Sequence, residues 1–215
     1  MKKLKNQPPR SFVIPATNQD TMNQAAIIEI YTELTPNPES IKFVTNKMLA
    51  KGSSIDCRDA DSVAGVPLAQ ELFTFPYTQG VFIMNNFVTV SKKPGYDWDE
   101  IVPQVKDFLR NYIAEGKTVV SENYAPPVPQ QAVANGKEGE LETRIRELLD
   151  TYVKPAVEND GGAIQFKSFH EGIVTLMLQG SCSGCPSSMV TLKAGIEGLL
   201  KRMVPEVKEV VAEAT

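Results

Sequence analysis

A polar, proline-rich segment near the middle of the chain most constrains how it can fold. Residues 124–136 read YAPPVPQQAVANG and show no apolar periodicity. Prolines remove backbone donors and favour extended conformations, so this composition is typical of a linker. We therefore interpret residues 117–136 as a linker that divides the 215 residues into two small domains, at 25–116 and 137–215, after a disordered tail at 1–24.

The first domain alternates short apolar runs with segments of helical periodicity. Asn85-Asn86 separates two such runs, and asparagine tolerates the positive φ of a two-residue turn, which predicts a β-hairpin. Gly116 follows the last apolar helical face, as expected where a helix ends. The predicted strands are 27–32, 41–44, 54–57, 81–84 and 87–90, and the predicted helices are 67–75 and 98–115.

The second domain shows the order α-β-β-α-β. Apolar residues recur at helical spacing over 140–153 and again over 189–203. Asp160-Gly161-Gly162 predicts a sharp turn between the first helix and the strands. The predicted strands are 163–169, 173–178 and 207–211. The fold class predicted for the chain is α+β, with two small α/β-sandwich domains in which helices cover a sheet.

Charge and cysteine usage narrow the function classes. The net charge of -4 does not indicate a nucleic-acid-binding surface. No apolar run approaches the roughly 20 residues that span a bilayer. The N-terminus lacks the apolar core of a signal peptide and the Arg- and Ser-rich pattern of a transit peptide. The charge and the lack of a long apolar run therefore predict neither nucleic-acid nor membrane partners. A chain with 3 cysteines and no disulfide framework fits a reducing compartment, so we expect a cytoplasmic protein.

Two of the cysteines form a Cys-x-x-Cys pair in the stretch GSCSGCPSS, residues 180–188. Cys182 and Cys185 fall between an apolar strand pattern and the start of a predicted helix. The helix N-terminus favours negative charge and lowers the pKa of a nearby thiol. Small neighbours, including Gly180 and Gly184, let both sulfurs face the same way. We expect an exposed, uncluttered thiolate pair that suits a soft metal centre.

Two thiolates cannot fill the four-thiolate shell of an iron–sulfur cluster or a structural zinc site. Cys57, the other cysteine, lies more than a hundred residues away in the sequence. Two-fold symmetry would let the same loop of two chains supply four sulfurs to one cluster. Three alternatives remain: a thioredoxin-like dithiol–disulfide oxidoreductase, a zinc-linked interaction module, or two buried structural cysteines. The redox alternative is expected with a parallel βαβ pattern, whereas the pair follows an apparent hairpin.

Other candidate ligands have simpler interpretations. His170, the single histidine, falls in the predicted turn between the strands at 163–169 and 173–178, which favours a solvated residue. Cys57 is interpreted as an ordinary strand cysteine. Asp160 precedes two glycines and is interpreted as a turn residue.

Residues 140–213 resemble the C-terminal domain of NifU-like (Nfu-type) iron–sulfur cluster scaffold proteins. The resemblance is carried by PAVENDGGAIQF at 155–166 and by LQGSCSGCPSSMVTLKAGI at 178–196. Residues 27–112 resemble the N-terminal domain that precedes this module in many Nfu proteins. The matching stretches are TPNPESIKFVTNKML at 35–49, PLAQELF at 67–73 and GVFIMNNFVTVSK at 80–92.

The resemblance implies a cluster scaffold and carrier rather than an enzyme. Cys182 and Cys185 match the family's two ligand positions, and the expected cofactor is an iron–sulfur cluster, of type [4Fe-4S], shared by two chains. The implied partners are a second copy of the chain when loaded, an upstream cluster donor and apo iron–sulfur client proteins. Two positions depart from the family pattern: Ala163 stands where an acidic residue is common, and Lys154 where arginine is common. We expect both to affect packing or the client surface.

Overall fold

The computed structural model describes residues 27–124, 137–183 and 186–214. Within these ranges the chain forms a five-stranded and a three-stranded sheet, each with helices on one face. This mixed arrangement confirms the predicted α+β class. No helix within the described ranges is long and apolar enough to cross a membrane.

The first sheet has the strand order β1-β2-β5-β4-β3, and every neighbouring pair is antiparallel. Asn85 has a φ of +48° between β4 and β5, which confirms the predicted hairpin. The strands are β1 (Ile30–Leu34), β2 (Ser40–Thr45), β3 (Ala50–Cys57), β4 (Thr78–Asn85) and β5 (Phe87–Lys92).

Helices α1 (Pro67–Leu72) and α2 (Trp98–Ala114) cover one face of this sheet. The Asp97 side chain caps α2 by accepting a hydrogen bond from the backbone N–H of Asp99. Buried α2 residues recur at helical spacing and face the sheet, and they are Ile101, Val105, Leu109 and Tyr112. The apolar helix face predicted from the sequence is thus the face that forms the first core.

The second sheet has the order β6-β7-β8, with β6 antiparallel and β8 parallel to β7. Its strands are β6 (Gly162–His170), β7 (Ile173–Gly180) and β8 (Glu209–Ala214), and α5 (Pro186–Met203) joins β7 to β8. The predicted order α-β-β-α-β is confirmed. The parallel β7-α5-β8 connection adds a βαβ unit that the sequence patterns did not indicate.

The first helix of the second domain is longer and less regular than predicted. It begins as α3 (Lys137–Leu148), passes through a π-helical segment (Leu149–Val153) and ends as α4 (Lys154–Asn159). Pro155 lies in the first turn of α4, and proline lacks the backbone N–H that an uninterrupted α-helix would need there. The helix is therefore interrupted near Pro155, which a prediction based on apolar spacing alone does not take into account.

The two sheets contact each other through the face of the first sheet that α1 and α2 leave open. Because side chains alternate along a strand, Val44, Phe82 and Phe87 point away from the first core. They form a separate buried cluster with Ala163 of β6. Nothing in the sequence patterns predicted this docking, which joins residues on opposite sides of the proposed linker.

The domain boundaries stay a prediction. The tail proposed at 1–24 lies outside the described residues, as do residues 125–136 of the proposed linker. Residues 117–124 pack on the first core through Val119, Val120 and Tyr124. The Ser121 backbone N–H also donates to the Gly65 carbonyl at 2.9 Å, so this part of the proposed linker is attached to the first domain.

Candidate metal centre

Cys182 lies two residues after the end of β7 and four residues before the start of α5. The structure therefore places it between strand and helix, as the sequence predicted. Cys185, its partner in the Cys-x-x-Cys pair, lies outside the described residues together with Gly184. Cys182 itself lies in residues 180–183, and residues 159–162 pack beside this segment; we call the two segments together the cysteine frame.

Position 180 requires glycine for two reasons, its backbone conformation and the close packing around it. Its φ is +67°, a region that glycine adopts without steric cost. A Cβ at this position would lie 2.8 Å from the Gly161 carbonyl oxygen and 2.9 Å from Cγ of Phe82. The close approach brings the two halves of the cysteine frame together, and the Ser181 backbone N–H donates to the Gly161 carbonyl at 3.3 Å.

Gly162 forms the other side of the seat for the sulfur. A Cβ on Gly162 would lie 3.0 Å from Sγ of Cys182 and 2.6 Å from the Gln179 carbonyl oxygen. The Ser181 hydroxyl donates to the Asp160 carbonyl at 2.5 Å and lies 3.8 Å from Sγ of Cys182. The sequence showed Asp160-Gly161-Gly162 only as a turn. The pairing of Gly162 with Gly180 in the β6–β7 ladder is what brings Gly162 to the cysteine.

The exposed thiol that the sequence led us to expect is not found at Cys182. Its residue is 5% exposed and belongs to the second hydrophobic core. The physical reason is that the sulfur is small and weakly polar, so it packs well beside glycine and apolar side chains. The expectation of an exposed loop rested on the small size of its neighbours, which here leave room for burial instead.

The expected lowering of the thiol pKa is also wrong for Cys182 in this arrangement. Burial raises the pKa of the Cys182 thiol, a hydrogen bond with the Ser181 side chain lowers it, and the charge of Asp160 raises it further. Burial is the largest cause, because a thiolate loses more hydration than a thiol when water is excluded. In this arrangement burial therefore favours the thiol over the thiolate.

The other candidate ligands lie elsewhere. Cys57 ends β3 and is fully buried in the first core. Burial, followed by the charges of Asp56 and Asp59, raises the pKa of its thiol to about 12. His170 is exposed at the end of β6. Among the described residues, no group of three or more His, Cys, Asp and Glu side chains is arranged to hold a metal ion.

The first domain binds the backbone of the cysteine frame. The Asn37 amide donates to the Ser181 carbonyl at 3.2 Å, and the Thr89 hydroxyl donates to the Gly161 carbonyl at 2.8 Å. The Lys42 ammonium donates to the Asn159 carbonyl at 3.1 Å. Sequence reasoning missed these residues, and no local pattern marks them because their partners are over 70 positions away.

A groove of about 390 Å³ runs between the domains beside the cysteine frame. Its walls include Asp56 and Arg58 from the first domain and Gly180 and Ser183 from the second. Ser183 follows Cys182 directly and precedes Cys185, the second cysteine of the pair, by two positions. The groove thus runs beside a site whose sulfur belongs to the second core.

Two family descriptions match the chain in succession. "Scaffold protein Nfu/NifU N terminal" matches residues 30–116, and "NifU-like domain" matches residues 145–211. The first covers the five-stranded sheet with its helices, and the second covers the domain that contains Cys182.

Curated relatives extend the match over most of the chain. A Drosophila ananassae protein named "NFU1 iron-sulfur cluster scaffold homolog, mitochondrial" is 40% identical over 182 residues, which cover 84% of this chain and 63% of the relative. The Homo sapiens protein of the same name is 37% identical, with 84% and 70% covered. A solution structure of a NifU-like protein from Saccharomyces cerevisiae is 28% identical, with a TM-score of 0.42, covering 54% of this chain and 97% of that one.

These relatives correct the expected cytoplasmic location. Both are named as mitochondrial proteins, and their names point to the mitochondrion rather than the cytoplasm. The physical reason for the error is that free cysteines indicate a reducing environment but do not distinguish one such compartment from another. Localisation is set by targeting signals that receptors read, not by the folded domains.

The fold, the position of Cys182 and the two successive matches agree with one another. The human relative is more than one third identical, and the chain covers 70% of it. The two matched descriptions occur in the order that the two sheets have along the chain. This chain belongs to the Nfu/NifU family of iron–sulfur cluster scaffold proteins.

Proposed function

We propose that the chain binds an iron–sulfur cluster as cargo through Cys182 and Cys185 and transfers it to apo-proteins. The observation that carries the proposal is the place of Cys182. It lies between β7 and α5 of a NifU-like domain, on a seat formed by Gly162. Relatives that share this domain are named iron–sulfur cluster scaffold homologues.

The cluster is proposed to be [4Fe-4S] and to lie between two chains. Such a cluster takes four cysteine thiolates, and each chain offers two in its Cys-x-x-Cys pair. Cys57 does not complete a set within one chain, because it is buried in the other domain's core. A symmetric pair of chains would supply four sulfurs from the same loop, so the loaded form is expected to be a homodimer.

Ligation by two sulfurs per chain also suits transfer. Either chain alone holds the cluster through half of its ligands, so a client's thiolates can replace one pair at a time. A carrier of this kind needs an upstream donor and apo iron–sulfur clients, and it does not itself catalyse sulfur release. The sequence also has no Gly-x-x-x-x-Gly-Lys-Ser/Thr phosphate-binding motif, so no nucleotide-driven step is proposed for this chain.

A dithiol–disulfide oxidoreductase is the second candidate, and one observation favours it. The strands β7 and β8 are parallel and joined by α5, so the Cys-x-x-Cys pair opens the helix of a βαβ unit. The names of the relatives that share this domain, iron–sulfur cluster scaffold homologues, support the carrier over this candidate.

Anaerobic reconstitution of the full chain tests the proposal. Iron and sulfide are quantified alongside the mass in solution, and we expect about four iron per dimer. Cys182→Ala and Cys185→Ala should each abolish cluster binding while far-UV circular dichroism stays unchanged. Cys57→Ala is the matched control, since it removes a buried thiol from the other domain and should leave the iron content intact.

Three results would count against the proposal. A monomer that binds a full cluster would refute the sharing of one cluster by two chains. Zinc instead of iron in protein purified without oxygen would favour an interaction module. A Cys182–Cys185 disulfide that cycles while a test disulfide is reduced would favour the oxidoreductase.

A further inference from the structure

The open face of the first sheet contacts the cysteine frame at several points. Four residues on or beside this face make the contacts: Asn37, Lys42, Phe82 and Thr89. We call them the docking face. All four come from the first domain, and their partners all belong to the two segments of the cysteine frame.

The hydrogen bonds of the docking face are directed at backbone carbonyls rather than at side chains. Asn37 donates to the Ser181 carbonyl at 3.2 Å, and Thr89 donates to the Gly161 carbonyl at 2.8 Å. Lys42 donates to the Asn159 carbonyl at 3.1 Å. A buried carbonyl without a donor costs free energy, so these donors favour the docked state. The Lys42 bond is charge-assisted, which makes such a bond stronger than a neutral one.

Phe82 supplies the apolar part of the contact. Its residue is 2% exposed and clusters with Val44, Phe87 and Ala163. Its ring lies so close to Gly180 that a Cβ there would approach Cγ of Phe82 to 2.9 Å. The backbone of the cysteine frame is therefore held on one side by the second core and on the other by the first domain.

We propose that the first domain is a clamp that holds the cysteine frame in a closed, thiol-buried state and must release it before a cluster can bind. The inference rests on the proposed function, because it concerns access to the same sulfur. In the described arrangement Cys182 is 5% exposed, so a cluster shared with a second chain cannot reach its sulfur. Release of Gly161 and Ser181 frees both segments of the cysteine frame.

The contacts of the clamp are of a kind that can be reversed. On release, water replaces the three donors at the carbonyls, so each hydrogen bond is exchanged rather than lost. A cargo that binds only the released state shifts the population toward it, and its apparent affinity falls in proportion to the closed fraction. The clamp would thus protect the empty site while still permitting loading.

A competing explanation places the burial of Cys182 entirely within the second domain. Cys182 packs in the second core and beside Gly162, and these contacts do not involve the docking face. The two explanations differ in one measurable respect. Only the clamp predicts that changes in the first domain alter access to Cys182.

The rate of alkylation of Cys182 by iodoacetamide in the full chain tests the clamp. Peptide mass spectrometry with fragmentation assigns the label to Cys182. Thr89→Val removes the donor to Gly161 and should speed labelling about two- to tenfold, the range of one net hydrogen bond. Phe82→Asp places a charge on the docking face, which favours the released state, and should speed labelling at least about tenfold.

Thr74→Val is the matched control. Its hydroxyl donates to the Glu71 carbonyl at 2.6 Å within the first domain and is exposed, so the labelling rate of Cys182 should not change. Fluorescence of Trp98 shows whether each variant's first domain is folded. If Phe82→Asp fails to fold, Thr89→Val still tests the clamp. Equal labelling rates in wild type and both docking-face variants would overturn it in favour of burial by the second core.

The rate and extent of cluster loading separate this proposal from the proposed function. Faster labelling with faster loading to the same iron content supports both. If the variants are labelled faster but no chain takes up iron, the result supports the clamp over Cys182 and refutes the proposal that the chain binds an iron–sulfur cluster. Normal loading in all variants, with unchanged labelling, refutes the clamp and leaves the proposed function standing.

Discussion

Cys57 and Cys182 lie at comparable places in two different sheets. Cys57 is the last residue of β3, and Cys182 follows the last residue of β7 by two positions. Both are free and buried, and burial is the largest cause that raises the pKa of each thiol. By exposure and pKa direction alone the two cysteines would be assigned the same role.

Their surroundings separate them. Cys57 belongs to the core beneath α1 and α2, whereas Cys182 belongs to one of two glycine-containing segments whose carbonyls bind donors from the other domain. Burial of a cysteine therefore neither identifies a ligand site nor excludes one. The candidate ligand Cys182 differs in its surrounding backbone. Glycines let two backbone segments approach closely there, and carbonyls of these segments accept hydrogen bonds from the first domain.

The largest expected effects come from truncating the cores that hold the two cysteines. Leu72→Ala in the first core and Leu176→Ala in the second remove fully buried side chains, so each should cost about 2–5 kcal/mol of unfolding free energy. Urea denaturation followed by Trp98 fluorescence reports the first domain, since Trp98 is the single tryptophan. We expect Leu72→Ala to lower the fluorescence midpoint much more than Leu176→Ala does. Equal shifts would show that the two cores unfold as one unit.

Alanine in place of the glycine beside each cysteine should affect the two sites differently. Gly162→Ala would place a Cβ 2.6 Å from the Gln179 carbonyl oxygen, so it should cost about 1–3 kcal/mol and displace Cys182. Gly80→Ala is the control, because its Cβ would meet the Cys57 carbonyl oxygen at an ordinary 3.6 Å. Thermal unfolding and iron uptake of both variants provide the measurement. Similar losses in both would mean that the cysteine frame is no tighter than the first sheet.

A pH series tests the buried thiol that is not a proposed ligand. The pKa of Cys57 is raised from 9.0 to about 12, so the unfolded chain loses this proton first as pH rises. Stability from the protonated thiol is therefore complete below pH 9.0 and is lost toward about pH 12. Denaturation of Cys57→Ala should show a shallower fall over this window, by up to about 1.4 kcal/mol per pH unit. Parallel curves for the variant and wild type would contradict the assignment.

The smallest effect is expected at a third strand end. His170→Ala changes an exposed residue at the end of β6, so stability should change by less than about 0.5 kcal/mol. Iron content after reconstitution should equal that of wild type, because His170 lies apart from Cys182 on the opposite end of β6 from Gly162. Loss of iron in this variant would add a ligand that neither sequence nor structure assigned.

Much of the fold could be predicted because local patterns carried it. The Asn85-Asn86 hairpin and the apolar face of α2 were visible as turn chemistry and helical spacing, and both are confirmed. The π-helical segment was missed because apolar periodicity does not report the missing N–H of Pro155. The parallel pairing of β8 with β7 was missed because strand direction depends on the α5 crossover rather than on either strand's residues.

Less of the site could be predicted. The position of Cys182 before α5 was visible in the motif, but the seat formed by Gly162 depends on the β6–β7 register. The Asn37 amide reaches Ser181 across 144 positions of sequence. No periodicity links residues so far apart, so neither the burial of Cys182 nor the docking face could be read from local patterns.

Local patterns in the sequence predicted most of the helices and strands, the α+β class, the family resemblance and the candidate ligands, because periodicity, turn residues and the cysteine motif are local properties of the chain. The packing of the folded chain buries Cys182, which raises the pKa of its thiol, and brings donors of the first domain to the backbone beside it. The reason is physical: solvent exclusion and the pairing of carbonyls with donors depend on which surfaces meet. Those surfaces are brought together by the packing of one sheet against the other.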